Sequence, residues 1–208
     1  KSLTESEKTN GIVCASAGNH AQGVAYSCHL LQIQGKIYMP KTTPNQKVKQ
    51  VQLFGKKWVE IVLTGDTFDD AYAKAVADAK DNQKAFIHPF DDEKVIAGQG
   101  TVGLEIVEQY QQPIDYVFVP IGGGGLASGL STVFKHLSPN TKIIGVEPQG
   151  APSMKTSIAN QANTPLDTID KFVDGAAVKQ VGNQTFAICQ KNLDDIILVP
   201  EGKVCTTI

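Results

Sequence analysis

Two short stretches carry residue types that can do chemistry. The first is Pro120-Ile-Gly-Gly-Gly-Gly-Leu-Ala-Ser-Gly129. It follows an apolar run, residues 116–119, and precedes a helical spacing of Leu126, Leu130, Val133, Phe134 and Leu137. Consecutive glycines remove every Cβ that would hold an anion away from the backbone. Their N–H groups can converge, and the helix N-terminus adds a favourable field. A phosphate suits such a turn; a tight turn without a ligand is the plainer alternative. The second stretch is Ser16-Ala-Gly-Asn-His-Ala-Gln-Gly23, directly after the apolar residues 12–15. It places a hydroxyl, an amide and an imidazole among glycines at another helix start. Backbone N–H groups there suit a carboxylate. Asn19 offers a donor for a phenolate-like oxygen. His20 reads as a general base or as a capping and packing residue, and Ser16 as a ligand-binding residue or an N-cap.

The glycine stretch alone is ambiguous. Gly122-x-Gly124-x-x-Ala127 also fits a dinucleotide fingerprint, and Glu147 stands about 20 residues further on, at the end of the next strand. That reading makes the protein a nicotinamide-dependent dehydrogenase but leaves residues 16–23 without a purpose. Two anion-binding turns suggest instead a phosphate-bearing cofactor and a carboxylate-bearing substrate.

The elements that must position these turns alternate. Strands are expected over residues 12–15, 36–39, 57–62, 85–87, 115–119, 142–147 and 195–199. Between them, Val24, Ser27, Cys28 and Leu31 mark one helical face, and Pro44 sits at a helix N1 position. Asp66 and Thr67 open a helix with Phe68, Ala71, Ala75, Val76 and Ala79 inward. Residues 95–107 form a helix with small residues early, which admits a backbone or a ligand closely. Further helices are expected near 153–159 and 184–193, with residues 200–202 opening a last one. Strand–helix alternation implies α/β architecture, with two open parallel-sheet αβα units and a cofactor cleft between them. The smaller unit is expected over 1–95 and the larger, with the glycine loop, over 96–208. Ligands in such sheets lie at the carboxyl ends of strands.

Composition sets the outer bounds. The 208 residues are 41% hydrophobic and 19% charged, with net charge −2, which describes a folded domain with no basic stripe for nucleic acid. No apolar run approaches a membrane span. Cys14, Cys28, Cys189 and Cys205 show no zinc spacing and read as reduced thiols of a cytoplasmic protein. The polar start is no signal peptide. A first residue other than methionine suggests an interior piece of something longer.

Residues 16–23 resemble the asparagine loop of the fold-type II pyridoxal-phosphate enzymes, in the threonine/serine dehydratase branch. Pro89-Phe-Asp-Asp92, Ile96-Ala-Gly-Gln-Gly-Thr101 and Gly122-Gly-Gly-Gly-Leu126 recur in that family in this order. The likeness covers essentially the whole chain. Asp174-Gly-Ala-Ala-Val-Lys-Gln-Val-Gly182, with Thr185-Phe186 and Leu193-Asp-Asp-Ile-Ile197, is similar to the biosynthetic threonine dehydratases. The resemblance implies a tryptophan synthase β-like fold and pyridoxal 5'-phosphate as cofactor. It implies that Gly122, Gly123, Gly124, Gly125 and Leu126 hold the phosphate, that Asn19 meets the ring oxygen, and that Gly175 approaches the ring. It places the substrate carboxylate on Ser16, Ala17, Gly18 and His20.

The implied reaction is deamination of L-threonine, and secondarily L-serine, by α-proton abstraction and β-elimination of water. The products would be 2-oxobutanoate, for isoleucine synthesis, and ammonia. A homo-oligomer is expected, without nucleic-acid or membrane partners. In the family the Schiff-base lysine lies in a Ser-Phe-Lys-type motif before the asparagine loop. Lys1 has no such motif around it and is not that residue, so this stretch alone is expected to be inactive, at most a phosphate- or cofactor-binding fragment. Relatives that bind a cation near the phosphate use a Glu and an Asp. Glu147 matches the first, but Ser153 stands at the second, and no metal site is expected.

Overall fold

A computed structural model describes residues 3–207, so the reading of Lys1 lies outside the described residues. The chain forms two compact units, Lys1–Pro89 and Phe90–Ile208. No helix among the described residues is long and apolar enough to cross a membrane.

The first unit runs α1 (Glu5–Asn10), β1 (Ile12–Ala15), α2 (Asn19–Leu31), β2 (Gly35–Met39), α3 (Asn45–Gly55), a 3₁₀ turn (Lys56–Trp58), β3 (Val59–Leu63), α4 (Phe68–Asp81) and β4 (Ala85–Phe86). Its four strands pair in parallel in the order β3-β2-β1-β4. Side chains alternate across a strand, so β1 feeds two cores. Ile12 and Cys14 pack with Ala21, Val24 and Cys28 of α2 and Val51 of α3. Val13 and Ala15 pack with Ala71, Ala75 and Ala79 of α4. Burial on both faces is why residues 12–15 read as an unbroken apolar run.

Several local expectations shift here. Helix α1 was not expected, because it buries nothing. A capping box makes it: Thr4 Oγ1 accepts from the Glu7 N–H, and the Glu7 carboxylate accepts from the Thr4 N–H at 2.7 Å. Pro44 is the N-cap of α3 rather than its first helical residue. Lys57 and Trp58 belong to the 3₁₀ turn, so β3 starts only at Val59. The inward stripe of α4 is narrower than expected, with Phe68 and Val76 both 41% exposed. On α2, Val24 and Cys28 face the core while Ser27 and Leu31 face outward.

The second unit runs α5 (Glu93–Gln109), β5 (Tyr116–Pro120), α6 (Gly125–Leu137), β6 (Lys142–Pro148), α7 (Ser153–Ala159), α8 (Asn183–Asn192), β7 (Asp195–Val199) and α9 (Glu201–Thr207). Its strands pair in parallel as β5-β6-β7. Val119, Ile121, Leu130, Phe134, Ile143, Met154, Cys189 and Ile196 form its core. Leu137, expected inward, is exposed at the last turn of α6.

The small residues of α5 admit a backbone. A Cβ on Gly129 of α6 would stand 2.3 Å from the Ile96 carbonyl oxygen and 2.5 Å from the Gly100 nitrogen. Helices α5 and α6 therefore cross glycine against glycine, which fixes the start of α6 against a rigid neighbour.

Asp194, just before β7, ties three elements. Its carboxylate accepts from Lys135 at 2.8 Å, Lys142 at 3.1 Å and the Ile143 N–H at 2.9 Å. Partial burial opposes its charge, but these donors prevail and hold its pKa down at about 2. A carboxylate lowered on folding contributes stability that is fully present above its ordinary value of 3.8 and is lost as pH falls through about 2. Asp194→Ala is expected to cost about 1–2 kcal/mol at neutral pH, after discounting for solvent screening. In denaturant titrations that difference should shrink steadily toward pH 2.

Candidate functional site

Strand β5 delivers the chain into the glycine turn, and Ile121 anchors it by donating its N–H to the Val146 carbonyl at 2.9 Å. Gly123, Gly124 and Gly125 are buried. Gly124 takes φ +94°, a conformation that L side chains rarely adopt, and is the N-cap of α6 with no side-chain cap. The first helical bond is Ser128 N–H to the Gly124 carbonyl. Within the described residues no acceptor takes the N–H groups of Gly122, Gly123, Gly124, Gly125 or Leu126.

That is unusual for this chain. Thr4, Thr67 and Asp92 cap α1, α4 and α5 with their own side chains. The Asp91 carboxylate accepts from Asn183, Gln184 and Thr185 N–H groups at 3.0, 2.8 and 3.3 Å and so caps α8. Glu147 does the same for α7. The starts of α2 and α3 also lack side-chain caps; at α3, Asn45 and Gln46 are exposed and water can serve them. Buried backbone donors in folded proteins are as a rule paired. The start of α6 thus has the unmet demand that a phosphate would satisfy.

The four glycines answer a second need as well. A Cβ on Gly123 would meet the Phe90 ring at 2.2 Å, one on Gly124 would meet Met154 and Thr185 at 2.9 Å, and one on Gly125 would meet Phe90 Cβ at 3.0 Å. The turn is packed from behind by side chains while its N–H groups stay unpaired. Gly122 lies against the backbone of Gly175 and Ala176, within 3.5 Å of where its Cβ would stand. The structure therefore brings Gly175 to the same turn. Gly175 itself has nothing within 4 Å of its own Cβ position.

Glu147 has a different job from either one considered for it. It is 1% exposed, and its carboxylate accepts from the Met154 N–H at 2.7 Å and the Lys155 N–H at 2.9 Å. Burial raises its pKa above the ordinary value, against the pull of those donors. Each oxygen accepts one backbone N–H and the side chain is buried, so the role the structure gives Glu147 is to cap α7. The nicotinamide reading loses its acidic partner here.

The 16–23 turn lies in the first unit. Gly18, not Ser16, is the N-cap of α2, and it makes no side-chain cap. The Ser16 hydroxyl accepts from the Gly18 N–H at 3.2 Å, tightening the turn, and the Ser16 N–H donates to the Tyr38 carbonyl. Asn19 is exposed at the first helical position. Gly18 has nothing within 4 Å of its Cβ position. His20 Nε2 is 3.2 Å from the Ile87 carbonyl. A carbonyl only accepts, so this nitrogen carries the proton. Burial lowers the imidazole pKa to about 4, so the ring is neutral at pH 7. It joins the start of α2 to the segment after β4, and any carboxylate bound here would meet backbone dipoles rather than an imidazolium.

Sequence reasoning missed Phe90, Asp91 and Thr185 as supports of the glycine turn. Asp91 lies 92 residues before Asn183, and no local spacing signals such a pair.

Compared with known families, the sequence matches the one described as pyridoxal-phosphate dependent enzyme over residues 1–208. The chain belongs to the pyridoxal-phosphate dependent enzymes. Within this family it is similar to the biosynthetic L-threonine dehydratase IlvA of Halalkalibacterium halodurans, 62% identical over 207 residues, covering 100% of this chain and 50% of that protein. The chain spans about half the length of the curated relatives it matches. Among solved structures, the processed form of threonine deaminase isoform 2 from Solanum lycopersicum superposes with a TM-score of 0.89 at 47% identity, over 96% of this chain and 57% of that one. Maize serine racemase gives 0.90 at 30% identity, over 98% and 60%. The backbone is thus equally close to a deaminase and a racemase, while sequence identity favours the deaminase. The two parallel α/β units are those of this pyridoxal-phosphate family.

Proposed function

We propose that the protein deaminates L-threonine, and secondarily L-serine, to a 2-oxo acid and ammonia, with pyridoxal 5'-phosphate as cofactor. The observation that carries this is the buried N-terminus of α6, whose N–H groups lack acceptors. Its residues fit a phosphate: the donors are backbone, pre-aimed, and backed by Phe90, Met154 and Thr185.

In this reading the N–H groups of Gly122, Gly123, Gly124, Gly125 and Leu126 hold the phosphate, with Gly175 lining the ring. Asn19 donates to the ring oxygen. Ser16, Ala17, Gly18 and His20 hold the substrate carboxylate through the turn, which orients the α-hydrogen for removal. When bound, the cofactor supplies an electron sink for carbanion chemistry. The His20 ring, neutral at pH 7, holds the turn in place through the Ile87 carbonyl. We further propose a cytoplasmic homo-oligomer, which light scattering on purified protein would test.

The test uses the intact protein. Adding pyridoxal phosphate should produce an imine absorbance, and threonine should then yield 2-oxobutanoate. Absence of both signals would sink the proposal.

Two glycines separate folding from binding. Gly18 and Gly175 have open Cβ positions, so Gly18→Ala and Gly175→Ala should change stability by no more than about 0.5–1 kcal/mol. Gly18→Ala should raise KM for the amino acid, and Gly175→Ala should weaken cofactor binding. Thermal melts beside steady-state kinetics would check both.

A further inference from the structure

Behind the glycine turn lies a set of contacts that the cofactor reading has not used. Thr185, fully buried in the first turn of α8, donates its hydroxyl to the Gly123 carbonyl at 2.6 Å. The Gly182 N–H donates to the same carbonyl at 3.3 Å. Every described peptide is trans, so the N–H of Gly124 points opposite to the Gly123 carbonyl. Fixing that carbonyl toward α8 therefore aims the Gly124 N–H away from α8. The start of α8 is itself fixed by Asp91, whose carboxylate takes three of its N–H groups. Gly182 allows this approach, since a Cβ there would stand 2.3 Å from Asp91 Oδ1.

We propose that Thr185 is a positioning residue for phosphate binding: its hydroxyl, carried by an α8 that Asp91 caps, holds the Gly123–Gly124 peptide in the orientation that presents a donor to the anion. This rests on reading the 122–126 turn as the cofactor phosphate site. A glycine peptide has no side chain to lock it, and φ +94° at Gly124 is one of several conformations open to glycine. The hydroxyl selects one. Valine has the same shape without the donor, so Thr185→Val leaves the peptide free to turn and the Gly123 carbonyl, a like-signed dipole end, free to face the phosphate.

The experiment compares pyridoxal phosphate with pyridoxal, which lacks the phosphate, by titration of the intact cofactor-free protein. Thr185→Val is expected to weaken pyridoxal phosphate by about tenfold, the value of one hydrogen bond to a charged-ligand site, and pyridoxal by less than about twofold. Thr185→Ser should restore most of the affinity. Equal binding of pyridoxal phosphate by Thr185→Val and the wild type overturns the proposal. So does an equal loss for both ligands, which would mark a purely structural role. If Thr185→Val does not fold, Asp91→Asn must show the same phosphate-selective loss, and its absence overturns the proposal. A wild-type protein that binds neither ligand refutes the cofactor reading itself, and the proposal with it.

Discussion

Gly124→Ala is expected to lower the affinity of the intact protein for pyridoxal phosphate by about a hundredfold or more. It should also destabilise the second unit by about 2–4 kcal/mol, as strain and overpacking combine. Two independent costs meet at this position. Gly124 sits at φ +94°, where an alanine Cβ crowds its own backbone. That Cβ would also stand 2.9 Å from Met154 Cε, Thr185 Cβ and Thr185 Oγ1. Met154 Cε ends a flexible side chain and can give a little, but Thr185 cannot. Met154 is fully buried and its N–H is held by Glu147, while Thr185 is held by Gly123 and Asp91. The backbone must therefore move, and with it the donors of the turn. Calorimetry with and without cofactor measures both effects. A variant as stable as the wild type, with unchanged cofactor affinity, would show that the turn adapts and that its geometry is not what binds.

His20 should make the first unit acid-sensitive. Its pKa is lowered on folding from 6.5 to about 4, chiefly by burial, with His88 adding repulsion and the Ile87 carbonyl pulling the other way. The unfolded chain therefore takes up a proton before the folded one does. The stability that comes from keeping the ring neutral is fully present above pH 6.5 and is lost as pH falls through about 4. The loss amounts to about 2–3 kcal/mol, an order-of-magnitude figure from the size of the shift. Trp58, the single tryptophan, lies in this unit, so its fluorescence during urea unfolding reports the effect directly. His20→Gln keeps an N–H donor for Ile87 but cannot titrate. It should lower stability at neutral pH modestly and flatten the pH dependence between 6.5 and 4. A His20→Gln profile as steep as that of the wild type would assign the acid sensitivity elsewhere.

Most of the fold was legible because short apolar runs mark its parallel strands, although of the three clearest only β1 is buried throughout. Residues 12–15, 116–119 and 196–199 are apolar runs flanked by glycine, proline or acidic residues, and each lies in a strand. Short-range signals with low apolar content were harder. The Thr4–Glu7 capping box makes a helix that buries nothing, so hydrophobic periodicity could not reveal α1. Phe68, Val76 and Leu137 fit helical spacing yet lie at the flanks of their stripes, because spacing fixes a face but not the width a neighbour covers. At the site, the two turns were visible as composition. Their supports were not. Glu147 looked like a ligand because its position after β6 is where ligands are found, and only the tertiary structure shows α7 claiming both its oxygens. Thr185 and Asp91 act across 62 and 92 or more residues of chain, a distance over which residue type alone carries no signal.

That separation also bears on when the turn becomes competent. Closing a loop of some ninety residues costs more entropy than closing a hairpin, and such contacts form late. The strand and helix that flank the glycines are neighbours in sequence and can assemble early. The carboxylate clasp on α8 cannot close until the chain through Thr185 has left the ribosome. Cofactor capture should then wait for the synthesis of α8, and nascent chains halted before α8 should be unable to retain the cofactor.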